Sequence, residues 1–244
     1  MNEAPLGWLA AEYHLPATYS CRLPFSSPHS ALISPAPGPA TVRLALVRSG
    51  LELFGRDTVR DALFPWLRAA SVLICPPERV ALSEQVMRAY KAEAEHGQVI
   101  LGESVVYRQM AHAHGAMTVY LHVPLPQRET LEALLRNIGY WGQASSFATC
   151  LQVNERAPKP TECAWPLRSL GEENLLRPYF CCVHSEFRDA RVAWEEVVPF
   201  DGPRRRSGRS PFKMEVYAWP LQMVRQDGPH TLLRRTPFRE NGLP

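Results

Sequence analysis

The chain has 244 residues, enough for one large domain, or for a domain with an accessory sheet, around a substantial core. A formal net charge of only +3 excludes a surface that coats nucleic acid indiscriminately, so the distribution of charge matters more than its total. No apolar run is long enough for a membrane-spanning helix, and the opening Met-Asn-Glu-Ala-Pro lacks the charged and apolar regions of a secretory leader.

Residues 7–15 read as a first strand that continues through Thr18–Leu23 past a bend at Pro16. A Ser/Pro/Gly-rich loop follows over 24–39. Val42, Ala45 and Leu46 on one face, with Leu44 and Val47 beside them, predict a helix over 40–49 that Gly50 stops. Arg43 and Arg48 are left to face solvent or a ligand. Asp57 is a suitable N-cap for a second helical piece carrying Val59, Ala62, Leu63 and Trp66 and interrupted near Pro65. Ser71–Cys75 is a short continuous apolar run, which predicts a buried strand.

A more polar stretch, residues 76–111, precedes an alternating β-branched strand over 117–123. Leu131, Leu134, Leu135 and Ile138 then fall at i, i+3, i+4 and i+7, the clearest helical stripe in the chain. A loop over Asn137–Phe147 leads into a strand over 147–153. The order strand, helix, strand, insertion, strand, helix, strand predicts an α+β fold: a ferredoxin-like (RRM-like) βαββαβ domain over residues 1–154, interrupted by an insertion at about 76–111. Residues 155–244 read as a β-rich accessory region, with strands expected over 179–184, 193–199, 213–221 and 231–233.

Six cysteines, at 21, 75, 150, 163, 181 and 182, form no Cys-x-x-Cys pair or regular framework, which with the missing leader points to a reducing cytoplasm. Residues 200–244 hold nine Lys and Arg against four Asp and Glu, so a basic end suggests an anionic partner or a solvated tail. Within it, Arg204, Arg205, Arg206 and Arg209 make a cationic run that suits RNA or DNA phosphates, or solvent.

The loop Asn-Ile-Gly-Tyr-Trp-Gly-Gln-Ala-Ser-Ser-Phe is a poor core segment. Gly142, Gln143, Ser145 and Ser146 can offer N–H groups and hydroxyls to a phosphate, with Gly139 allowing close approach; the plain alternative is a helix C-cap followed by a turn. Tyr140 and Trp141 read as packing residues. Catalytic signatures of the Ser/His/Asp or Walker type are absent, so no cofactor is expected.

The opening Leu15–Arg22, the proline-rich Ser34–Arg43 and the loop Ile138–Phe147, in this order within a ferredoxin-like pattern, resemble the RAMP superfamily of CRISPR proteins, and within it the "Cas-five" family. The resemblance covers mainly residues 7–154. It implies a Cascade subunit that caps the 5′ handle of the CRISPR RNA, contacts the backbone and large subunits, and allows a contact with target DNA. It further implies that the 76–111 insertion is a thumb hairpin, in which Arg79, Arg88, Lys91 and Arg108 meet phosphates and Tyr107, with Tyr90, meets bases. On spacing alone Val80, Val86 and Met87 better suit an amphipathic helix with solvated charges, an order that the implied topology reverses. Tyr19, Arg22 and Arg43 complete the implied RNA-binding set. One branch of the family cleaves precursor RNA without metal, and His112 and His114, with Tyr107, are the candidates for that chemistry here. The same two histidines have no third ligand at metal spacing. An unrelated ferredoxin-like interaction module is the remaining reading.

Overall fold

The computed structural model describes residues 6–26, 30–95, 98–198 and 210–244. In chain order it has strand β1 (Leu6–His14), three two-residue strands β2 (Cys21–Arg22), β3 (Ser30–Ala31) and β4 (Ile33–Ser34), and helix α1 (Pro39–Phe54). Helix α2 (Arg56–Thr58), a π turn over Val59–Leu63 and helix α3 (Phe64–Leu67) lead to strand β5 (Ser71–Cys75). A hairpin of β6 (Arg79–Glu95) and β7 (Gln98–His114) precedes β8 (Met117–Pro124), α4 (Arg128–Arg136) and β9 (Thr149–Glu155). The remainder comprises β10 (Trp165–Pro166), α5 (Glu172–Leu175), β11 (Tyr179–Phe187), α6 (Trp194–Val197), β12 (Phe212–Asp227) and β13 (His230–Arg235).

Four strands form one antiparallel sheet in the order β5-β8-β1-β9, with the helical segments lying in the first and third connections between them. Alternation on β1 sends Leu9, Ala11 and Tyr13 into the main core, where Val119, Leu121 and the α4 residues Leu131, Leu134 and Leu135 also pack. Ala10 turns to the other face and meets Cys75, Tyr120 and Cys163. The Tyr13 hydroxyl donates to the Leu135 carbonyl at 2.8 Å, which ties α4 to the sheet's central strand.

The first helix is longer than its spacing predicted. Gly50 lies inside α1, where a Cβ would come within 2.9 Å of the Val59 side chain, so glycine is there to let the following π turn pack closely. The stop is Gly55, at φ +76° and ψ 170°, a conformation open to glycine. The predicted strand at 18–23 shrinks to β2 on β4, because Tyr19 and Ser20 are fixed by other contacts described below. The strand expected over 193–199 is instead α6. Glu196 accepts the Ala193 N–H at 2.9 Å, and Trp194 packs edge-on against Phe64 at 5.4 Å.

The second sheet runs β10-β12-β13-β6-β7-β3, with β11 also on β12. It joins the insertion to the C-terminal strands. The insertion is a hairpin throughout, paired from Arg79↔His114 to Glu95↔Gln98. Strand β13 covers only Arg79–Ser83, and β3 meets β7 only at Tyr107 and Arg108. Arg108 and Tyr107 face Gln85 and Val86, so the uncovered two-stranded arm runs from Met87 to Glu95 on β6, roughly 30 Å at about 3.3 Å per residue. Among the described residues no helix is long and apolar enough to cross a membrane.

Candidate nucleic-acid interface

The loop after α4 is closed by its own backbone. Trp141 N–H bonds the Ser146 carbonyl at 3.0 Å, Ser146 N–H bonds the Gln143 carbonyl at 2.9 Å, and Ala148 N–H bonds the Gly139 carbonyl at 2.9 Å. Trp141 is buried edge-on against Tyr13, and Tyr140 lies beneath the Arg48 guanidinium at 3.5 Å. Gly139 has no positive φ, so it is not a left-handed C-cap of α4; Gly142 holds that conformation, at φ +70°.

Folding of the loop toward β2 and the start of α1 brings three predicted residues together. Arg22, Gly142 and Gln143 line a pocket of about 120 Å³ with Ser20, Cys21, Gly38, Thr41 and His184. Ser145 is exposed on the loop's outer side. Gly38, Thr41, Ser20 and His184 were missed. Gly-Pro before an apolar stripe is a legible helix start, but nothing in Cys-Cys-Val-His-Ser shows that the histidine reaches another element.

Three predicted contacts are corrected by burial. Tyr19 is 1% exposed, its hydroxyl donates to the Pro35 carbonyl at 2.6 Å, and its backbone exchanges hydrogen bonds with Ala111. Ser146 is fully buried, and its hydroxyl accepts the Ser20 N–H at 3.0 Å, so it fastens the loop instead of facing a ligand. Arg43 is buried in an ion pair with Glu186 and donates to the Ala70 carbonyl at 2.7 Å.

The other cations sit on the hairpin. Arg79 and Arg88 are exposed, paired with Glu78 at 3.6 Å and Glu103 at 3.1 Å. Tyr107 is exposed, whereas Arg108 is half-buried with its Nε unpartnered. Lys91 lies on β6, but its side chain is outside the described residues, as are Arg204, Arg205, Arg206 and Arg209. His112 and His114 are exposed on one face at the hairpin's base, opposite Ala81 and Arg79. Uninterrupted alternation puts Tyr107 on the opposite face, so the three cleavage candidates do not converge. Among the described residues no three His, Cys, Asp or Glu side chains gather as a metal site.

No family model matches the sequence. The chain is 22% identical over 212 residues to the CRISPR-associated protein Cas5 of Archaeoglobus fulgidus, which spans 86% of this chain and 91% of that protein. The chain is a relative of Cas5. The alignment of this Cas5 relative extends well beyond the glycine loop, so residues outside the first 154 contribute to the likeness. A crystal structure of a CRISPR protein from Archaeoglobus fulgidus superimposes with a TM-score of 0.45 and 11% identity, over 95% of this chain and 92% of that one.

Proposed function

We propose that this Cas5 relative is a non-catalytic RNA-binding subunit of a type I Cascade-like complex that works in the cytoplasm and holds the 5′ handle of the CRISPR RNA. The observation that carries the reading is the arm, a long two-stranded ribbon with Arg88 on it and exposed Met87, Tyr90 and Val105. A two-stranded ribbon in water has little stability of its own, so such an arm suits packing against RNA and a neighbouring backbone subunit. The strand order β5-β8-β1-β9 with its two helical connections supports a ferredoxin-like unit over 1–154, from which the arm rises as a thumb. The pocket of Arg22, Gly142 and Gln143 supports a second contact with the handle; contacts of the C-terminal sheet with the large subunit or target DNA are part of the same proposal.

Crosslinking of the assembled complex to CRISPR RNA tests this reading. Crosslinked peptides are expected within 79–114 and 139–147, and a complex without them there fails it. Cutting of repeat RNA without divalent metal, lost in His112→Ala or His114→Ala, would replace the structural role by an endoribonuclease.

A further inference from the structure

We propose that the pocket at the start of α1 binds one tetrahedral oxyanion of the phosphate class, with His184 as a neutral donor in its wall. The assignment of that anion to an RNA linkage rests on the function proposed above; the oxyanion chemistry stands on the pocket alone.

Helix α1 has sixteen residues, and its first intrahelical bond is from Val42 N–H to the Gly38 carbonyl at 3.1 Å. Gly38 has no side chain to cap the helix, Pro39 has no N–H, and no acidic residue lies in the first turn. The Ala40 and Thr41 N–H groups therefore have no intrahelical acceptor, and the positive end of the helix is uncompensated by side chains of its own first turn.

The second observation is His184, which is 5% exposed. Its Nε2 lies 3.2 Å from Ser34 Oγ and 3.3 Å from Cys182 Sγ. Ser34 Oγ accepts the Ala36 N–H at 3.4 Å and faces the Cys182 thiol at 3.5 Å, so its own proton is directed to Nε2. That leaves the ring proton on Nδ1. No hydrogen bond reaches Nδ1 among the described residues, and it lies 2.3 Å from where a Cβ on Gly38 would stand. Only glycine lets the imidazole come this close to the helix start. Burial lowers the His184 pKa to about 4, so the group is an uncharged donor at neutral pH. Ser20 Oγ, also on a lining residue, is buried without a partner. Arg22, which is positively charged, and Gly142 and Gln143 of the loop complete the lining.

The test follows the ring-nitrogen resonances of ¹⁵N-histidine-labelled full-length protein during titration with inorganic phosphate and, separately, with a short single-stranded RNA oligonucleotide. Both probes are expected to move the His184 Nδ1 signal saturably. Thr41→Glu places a carboxylate at the pocket while favouring the helix start, so it should weaken phosphate binding at least 10-fold with the melting temperature kept; His184→Phe should abolish it. A His184 signal that neither probe moves overturns the pocket, and RNA that still binds then leaves the RNA reading standing alone. Movement with phosphate but not RNA keeps the oxyanion site and rejects its RNA source. Unchanged phosphate affinity in a folded Thr41→Glu protein overturns the proposal.

Discussion

Arg43 on α1 is ion-paired with Glu186 on β11, which joins the first helix to the C-terminal sheet. Glu186 also accepts the Phe187 N–H at 2.8 Å and the Tyr217 hydroxyl at 3.3 Å, while Arg43 reaches the Ala70 carbonyl. Removing one partner would leave the other charge buried and uncompensated, a loss of about 3–5 kcal/mol. Arg43→Ala and Glu186→Ala are each expected to lower the urea midpoint accordingly, and an Arg43→Met, Glu186→Leu pair to recover much of the loss. RNA crosslinking per folded molecule should be unchanged in Arg43→Ala. A stable Arg43→Ala protein that crosslinks poorly would return Arg43 to the RNA-binding set.

His184 sets a pH dependence of stability. Its folded pKa of about 4 lies below its ordinary 6.5 because burial disfavours the charged ring. Above pH 6.5 both folded and unfolded imidazoles are neutral, and the stability is fully present. As pH falls from 6.5 toward 4 the unfolded chain gains a proton that the folded chain does not, so stability drops by about 3 kcal/mol in total. The neighbouring Cys182 thiol is pushed up to about 11, chiefly by burial, and Tyr217 is also raised by burial, so neither ionises in this window. Glu12, held low chiefly by its hydrogen bond from Gln152, adds to the loss only at lower pH. Urea midpoints between pH 7 and 5 should therefore fall more steeply for the native chain than for His184→Gln. Parallel curves would contradict the assignment.

Two exposed glycines separate strain from space. Gly55 has φ +76° and ψ 170°, with nothing within 4 Å of where a Cβ would stand, so Gly55→Ala should cost about 1–3 kcal/mol through the backbone alone. Gly139 is equally open but has no positive φ, so Gly139→Ala should be neutral or stabilising by up to about 1 kcal/mol. Thermal melts of the two variants check the contrast. Equal losses would mean that Gly139 also serves the loop's geometry.

The first sheet was legible where its elements carry a local pattern. Alternation marked β8, an unbroken apolar run marked β5, and the Leu131–Ile138 stripe marked α4. The hairpin was not, since five successive β6 residues, Glu84, Gln85, Val86, Met87 and Arg88, are all exposed and leave no hydrophobic rhythm there; only the family likeness implied it. Trp194 misled for the opposite reason, its β-prone neighbours being overruled by a cap at Glu196 and a contact with Phe64. At the site, Arg22, Gly142 and Gln143 were readable from residue chemistry. His184 was not, because it enters the pocket from β11, more than 140 residues along the chain from Gly38, and such a meeting is decided by sheet packing.

The arm gives the sharpest quantitative test of the RNA reading. Arg88 is held at 3.1 Å by Glu103 from the facing strand, both side chains being well exposed. If the arm meets RNA, the carboxylate competes with phosphate for this guanidinium. Glu103→Gln should then tighten RNA binding by the assembled complex, and Arg88→Ala should weaken it. Each phosphate contact on single-stranded RNA contributes about 0.7 to the slope of log affinity against log salt, so Arg88→Ala should reduce that slope by about this amount. Arg79, beside Glu78 at the hairpin's base, should behave in the same way if the handle continues to the body. Filter binding across a range of salt concentrations gives both affinity and slope. Weaker binding in Glu103→Gln, or an unchanged slope in both arginine variants, would place the RNA elsewhere and leave the arm to a protein neighbour.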